Sequence, residues 1–219
     1  MVGDEAVLMA TRTGVPVFAG ANRLDSIQQL QADTDCDVIV SDDGMQHYKM
    51  PRDIQIVVID GARGFGNGHC IPAGPLREKL NRLDKCDLMV VNGNPETNTE
   101  RLKKAYMMSL SGDNISNLIS KTVQAITGIG NPNRFYTTLE SAGLLVNKNS
   151  FPDHHAFTQN DLLFESDEMV IMTEKDAVKC KHLIAEETNY WYLPISAVLP
   201  KEFDQKLLNL LKKKVPSFA

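Results

Sequence analysis

Four short stretches of this chain carry side chains that could do chemistry. In the first, the apolar run Val38-Ile39-Val40-Ser41 leads straight into Asp42-Asp43-Gly44-Met45-Gln46-His47. Read as a buried strand, residues 38–41 would deliver two carboxylates at the strand's carboxyl end. That is where open α/β sheets bind ligands and where phosphoryl-transfer sites hold magnesium. Asp and Gly are also turn formers, so a plain turn is the competing reading. The second stretch, Leu76-Arg77-Glu78, follows a glycine-rich segment over residues 61–75. A guanidinium there could clamp a phosphate bidentately, or simply face water.

The third stretch, Phe151-Pro152-Asp153-His154-His155-Ala156-Phe157, sets two histidines between aromatics and after an acid. Neighbouring side chains on an extended chain point to opposite sides, so one metal cannot easily take both rings. A single His working with a carboxylate in proton transfer is one reading. A loop anchored to the core by its phenylalanines is the other. The fourth stretch, Asp4-Glu5, reads locally as the acidic start of a helix. No Gly-Lys dipeptide occurs in the 219 residues, so a GxxxxGK[ST] phosphate cradle is absent from them, as is GxGxxG.

The elements that must position these groups alternate between β-rich runs and helical patterns, the signature of an α/β fold around a largely parallel sheet. Strands are predicted at residues 15–19, 38–41, 54–60 and 88–92, with a crossover helix at 22–31 and a helix at 95–110. A polar stretch over 109–120 reads as a linker, dividing the chain into residues 1–110 and a smaller α/β lobe, 111–219. In that lobe, strands are predicted at 122–128, 169–173 and 190–194, and helices at 133–142, 174–187 and from 200 onward. Thr173-Glu174-Lys175-Asp176 fits a capping-box variant. Phe203, Leu207, Leu208, Leu210 and Leu211 form one helical face, ahead of a Lys212-Lys213-Lys214 run suited to the helix carboxyl end.

With 28 acidic and 23 basic residues the net charge is −5, which argues against a protein that grips nucleic acid through bulk charge. Hydrophobic residues make up 42%, ordinary for a globular domain, and no apolar run approaches a membrane span. Acids near the start and four scattered cysteines lead to the expectation of a reduced, cytosolic chain.

Taken together, the motifs resemble the tetraacyldisaccharide 4'-kinases, the lipid A kinases of Gram-negative bacteria. The resemblance runs through Val2-Gly3-Asp4-Glu5, Ser41-Asp42-Asp43-Gly44-Met45-Gln46-His47-Tyr48, Gly64-Phe65-Gly66-Asn67-Gly68 and Pro72-Ala73-Gly74-Pro75-Leu76-Arg77-Glu78. It continues through Gly128-Ile129-Gly130-Asn131-Pro132 with Arg134-Phe135, the 151–157 segment, and Met172-Thr173-Glu174-Lys175-Asp176-Ala177-Val178-Lys179. It implies a P-loop-kinase-like parallel-sheet core, incomplete here, with the smaller lobe beside it.

The implied reaction moves the ATP γ-phosphate, with Mg²⁺, to the 4'-hydroxyl of the disaccharide 1-phosphate lipid A precursor. It implies work at the cytosolic face of the inner membrane, to which the full-length form would bind peripherally. By the same resemblance Asp4 accepts the sugar proton with His154 as its partner, and Asp42 and Asp43 belong to the magnesium centre. Glu5, Gln46, His47, Arg77 and Glu78 would line the site toward substrate or nucleotide. The family's N-terminal portion, with its apolar helix and P-loop, has no counterpart here, and Ala6 stands where the family usually has proline. The expectation is a truncated kinase, or a reading begun at an internal methionine. The rival reading is a non-catalytic module that recognises the glycolipid or a protein.

Overall fold

Val123, Ala125 and Ile126 on one run and Val170, Ile171 and Met172 on another are nearly inaccessible to solvent, as strands covered on both faces require. They belong to the central strands of the sheet β5-β4-β6-β7 in the computed structural model, which describes residues 3–93, 106–112, 121–165, 168–185 and 189–215. The strands are β4 (Thr122–Thr127), β5 (Leu145–Ser150), β6 (Met169–Thr173) and β7 (Tyr190–Leu193), and each pairing in this sheet is parallel. Helix α3 (Pro132–Ser141) buries Phe135, Tyr136 and Leu139 against one face. Phe157, Leu162 and Cys180 pack with Ile126, Val170 and Met172 in the other cluster. Helix α4 (Glu174–Cys180) follows β6 directly, and α1 (Asp4–Thr13) opens the chain.

A second sheet has the order β1-β2-β3-β8, from β1 (Ile56–Asp60), β2 (Leu88–Asn92), β3 (Tyr106–Gly112) and β8 (Ile195–Val198). β1 pairs with β2 and β2 with β3, both in parallel. Helix α5 (Lys201–Lys214) seats Phe203, Leu207 and Leu210 on Leu88 and Val90, while Leu208 stays half exposed. Lys214 at its end donates to the carbonyl of Asp53 (2.5 Å). Helix α2 (Arg23–Asp33) is capped by Asn22, whose side chain accepts from Leu24 N–H, and it buries no residue.

The parallel α/β architecture agrees with the sequence reading, and particular elements differ. Residues 15–19 and 38–41 form no strand; Val40 is 91% exposed, and an apolar run without a neighbour to complete its ladder stays irregular. The helix expected over 95–110 is replaced at 106–110 by β3, where parallel pairing with β2 overrides helical spacing; the remainder of that stretch lies outside the described residues. The expected 109–120 linker begins inside β3. Strand β5 escaped notice because Leu-Val-Asn-Lys-Asn-Ser lacks an apolar run, and at the sheet edge most of its side chains meet solvent. Helix α4 stops at Cys180 rather than continuing to 187.

The chain forms two compact units that are discontinuous in sequence: Met1–Ala19 with Gly112–Ser196, and Gly20–Ser111 with Ala197–Ala219. This division differs from a single cut at 110/111 in where residues 1–19 and 197–219 fall. Ion pairs tie α1 to α4, and α5 packs on β2.

Candidate active site

In the unit that holds α1, Gly3 caps the helix in extended conformation and leaves Asp4 and Glu5 in the first turn, where acids favour the helix dipole. The helix lies alongside α4: Asp4 at its start meets Lys179 near the end of α4, Glu5 meets Lys175, and Arg12 near its own end meets Glu174 at the start of α4 (3.1 Å). Lys175 Nζ lies 2.9 Å from Glu5 Oε1, and Lys179 Nζ lies 3.7 Å from Asp4 Oδ2. That oxygen is buried and accepts no hydrogen bond, so it keeps an unsatisfied acceptor lone pair beside a cation. Burial disfavours the Lys175 ammonium, but the hydrogen bond to Glu5 and the charges of Glu5, Asp4 and Asp153 outweigh it and hold the pKa above the ordinary value. Lys175 thus stands in the field of both Asp4 and Asp153, which are far apart in sequence.

Asp176 is wholly buried and organises the ends of three elements. Its Oδ2 accepts from Gly128 N–H after β4 (3.0 Å) and from the Thr173 hydroxyl at the end of β6 (2.6 Å). Its Oδ1 lies 3.1 Å from Lys179 Nζ. Thr173 caps α4 as the sequence suggests, accepting from Asp176 N–H, but the acid turns to the Gly128 loop instead of completing a capping box. A Cβ on Gly128 would press on Pro152 O, Asp176 Oδ1 and His155 Cβ, so the loop after β4 and the segment after β5 close on each other there.

Within that segment the two histidines diverge. His155 stacks on Phe151 (4.6 Å between ring centres), meets Phe157 edge-on (5.0 Å) and places Nε2 3.2 Å from Asp161 Oδ2. His154 is exposed, with Nε2 3.8 Å from Asp153 Oδ2. The anchored-loop reading therefore describes His155, and Asp4 makes no hydrogen bond to either ring. Among the described residues only Asp43 (φ 49°) and His154 (φ 60°) hold positive φ without being glycine. Such strained conformations gather at functional sites. The Gly128 loop, the 151–157 segment with His154, and Asp176 follow the carboxyl ends of β4, β5 and β6, the ligand-binding end of a parallel sheet. A cavity of about 300 Å³ lined by Lys121, Thr122, Gln124 and Glu168 opens at the opposite, amino-terminal ends of the strands.

In the other unit, Asp42 and Asp43 sit in a turn and not at the end of a strand, because residues 38–41 pair with nothing. Both are exposed, as are Gln46, His47 and Arg77. Two adjacent carboxylates suit Mg²⁺, which is commonly held by one or two carboxylates plus waters and substrate phosphates. Among the described residues no three His, Cys, Asp or Glu converge on one point. The structure joins this turn to the Arg77-Glu78 stretch, since Gln46 Nε2 donates to Glu78 Oε1 (3.2 Å) and Arg82 Nε pairs with Glu78 Oε2 (3.2 Å). The largely exposed Tyr48 phenol is pushed up, first by its hydrogen bond to Glu78, with slight desolvation and the Glu78 charge adding to it. Gly74 admits no side chain, because a Cβ would collide with the Asn67 amide and the His69 carbonyl.

The sequence model of the family described as tetraacyldisaccharide-1-P 4'-kinase matches residues 1–212. The chain belongs to this family. A tetraacyldisaccharide 4'-kinase from Methylobacillus flagellatus is 44% identical over 97% of this chain, and one from Nitrosococcus oceani is 43% identical over 97%. The matches cover 65% and 64% of those relatives, so this chain spans a little under two thirds of their length. A crystal structure of LpxK from Aquifex aeolicus, described as an apo form in complex with ATP, overlays with a TM-score of 0.69. It covers 97% of this chain and 69% of that one at 24% identity, a likeness of fold.

Against the family motifs, the residues to which sequence reasoning gave no part in the site are Lys175, Asp176, Lys179 and Arg52, Asp176 having been read only as part of a helix cap. The first three lie in the Met172 to Lys179 motif, and the four-residue spacing of Lys175 and Lys179 already puts them on one helix face. Arg52 carries no such signal. No helix among the described residues is long and apolar enough to cross a membrane.

Proposed function

We propose that this chain carries the acceptor and metal side of an ATP-dependent kinase that phosphorylates the 4'-hydroxyl of the tetraacyldisaccharide 1-phosphate lipid A precursor. The observation that carries the reading is Asp4: a buried carboxylate oxygen with no hydrogen-bond partner, beside Lys179, in a chain that matches the family over residues 1–212. Asp4 accepts the proton of the attacking hydroxyl, and His154, next to Asp153, is its partner in passing the proton on. Glu5 holds Lys175 in place. Asp42 and Asp43 would bind Mg²⁺, which supplies charge neutralisation at the transferring phosphoryl group, and Gln46, His47, Arg77 and Glu78 serve the phosphates or the sugar. A lipid substrate of this kind places the work at the inner-membrane surface.

The 219 residues contain no Gly-Lys and hence no Walker cradle. By themselves they are expected to give no measurable 4'-phosphorylation, because the β- and γ-phosphates lack their main positioning groups. Placed after the N-terminal third of the Methylobacillus flagellatus relative, they should turn over. In that fusion Asp4→Ala and His154→Ala should lower kcat by orders of magnitude, while His155→Ala acts mainly through stability by unpacking Phe151 and Phe157. Robust activity of the 219 residues alone refutes the cradle argument, and an unaffected His154→Ala refutes the proton-relay role. Tight glycolipid binding together with an inactive fusion would favour the non-catalytic module.

A further inference from the structure

Arg52 lies just after the acidic turn, and its half-buried side chain reaches back beneath it. Nη1 donates to the carbonyls of Gly44 (3.1 Å) and Met45 (3.0 Å), and Nη2 donates to that of His47 (2.9 Å). Two of those carbonyls also close the turn's own backbone, since His47 N–H donates to Gly44 O (3.1 Å) and Met50 N–H to His47 O (2.9 Å). One guanidinium therefore collects three of the four carbonyls in residues 44–47.

The turn needs such an anchor. Residues 38–41 before it belong to no sheet, Asp43 holds a positive φ, and only Met50 behind it is buried. Backbone carbonyls that converge without a donor repel one another and leave the segment free to open. A planar fork donates from two separated nitrogens and so spans the Gly44, Met45 and His47 carbonyls in one fixed geometry, whereas the three N–H groups of an ammonium radiate from a single nitrogen on a flexible stem. At the far side Gln46 reaches Glu78, so the orientation of the turn also decides whether the Arg77-Glu78 stretch keeps its link to it.

We propose that Arg52 is a positioning residue that fixes the backbone of residues 44–47 and so presents Asp42 and Asp43 as a pair to a divalent cation. The cation half of this statement rests on the magnesium reading given above. Arg52 itself points at backbone oxygens and touches no reacting group.

The test uses the 219-residue chain labelled with ¹⁵N, with Mn²⁺ as a paramagnetic probe and amide hydrogen exchange as a second readout. Mn²⁺ should broaden the amides of residues 42–47, and Asp42→Asn with Asp43→Asn should abolish that broadening. In Arg52→Ala and in Arg52→Lys the Mn²⁺ concentration for half-broadening should rise roughly tenfold or more, and the His47 and Met50 amides should exchange faster by a similar factor. Core amides such as those of Val90 and Ile126 should not change, which separates loss of the turn from loss of the fold. Wild-type exchange at His47 and Met50 in both variants overturns the proposal, and so does an Arg52→Lys chain that keeps both properties. If Mn²⁺ broadens nothing at 42–47 in the wild-type chain, the magnesium reading fails, and the exchange rates alone decide whether Arg52 orders the turn.

Discussion

Replacing Asp176 is the sharpest available perturbation, because one wholly buried carboxylate satisfies groups from three elements. In Asp176→Ala the Gly128 N–H loses its acceptor, the Thr173 hydroxyl loses its 2.6 Å partner, and Lys179, only 14% exposed, is left with Asp4 at 3.7 Å. Breaking a buried ion pair by removing one partner typically costs about 3–5 kcal/mol. An orphaned buried amide adds roughly 1–3 kcal/mol, though contributions within one network do not sum. A loss of about 4 kcal/mol is therefore expected for Asp176→Ala, a large share of the roughly 5–15 kcal/mol that stabilises a domain. Asp176→Asn keeps the shape and one acceptor oxygen for Gly128 but turns an amide toward Lys179, and should cost about 2–3 kcal/mol. The assay is urea unfolding followed through Trp191, the chain's single tryptophan, which lies on β7 beside β6. Hydrogen exchange at the Gly128 amide is the local readout. If Asp176→Asn unfolds within about 0.5 kcal/mol of wild type and Gly128 stays protected, Asp176 does not join the ends of β4, β6 and α4 energetically.

Two further outcomes follow from neighbouring groups. The Asp161 carboxyl is held below its usual range by the Thr158 N–H, then by the Thr158 hydroxyl, with His155 adding to these. A depressed carboxylate stabilises the fold above its unfolded pKa of about 3.9 and loses that contribution as pH falls through the lower folded value. Acid unfolding of Asp161→Asn should therefore depend less on pH below about 4 than that of wild type; identical profiles would exclude the contribution. Burial, and secondarily the charge of Asp176, pushes the Cys180 thiol up to about 12, whereas Cys36 is exposed. Iodoacetamide at pH 8 should label Cys36 promptly and Cys180 only on unfolding, and equal rates in the folded chain would contradict its burial.

The candidate site was legible wherever chemistry is written into adjacent residues. Asp4-Glu5 at a helix start, the paired acids of the 42–43 turn and the Asp153-His154 step could all be named from type and order. The supports could not. Arg52 acts on backbone oxygens, which every residue possesses, so nothing in its neighbours marks the turn as its target. Likewise, that His155 rather than His154 packs with Phe151, Phe157 and Asp161 depends on how the segment after β5 folds, which the order of two adjacent histidines does not reveal.

Taken by itself, the amino-acid order determined the parallel α/β class and the strands at β2 and β6, because the apolar runs Leu88–Val91 and Met169–Met172 have few other places to go. It also determined the capped start of α4 and the apolar face of α5, since both depend on residues within one or two helical turns. Tertiary structure alone decided that residues 38–41 remain unpaired while the polar 145–150 run becomes a strand, because a strand exists by virtue of its neighbour's hydrogen bonds. It alone joined α1 to α4 and α5 to β2, making both units discontinuous in sequence. It alone set Lys175 in the field of both Asp4 and Asp153, since electrostatics acts through space.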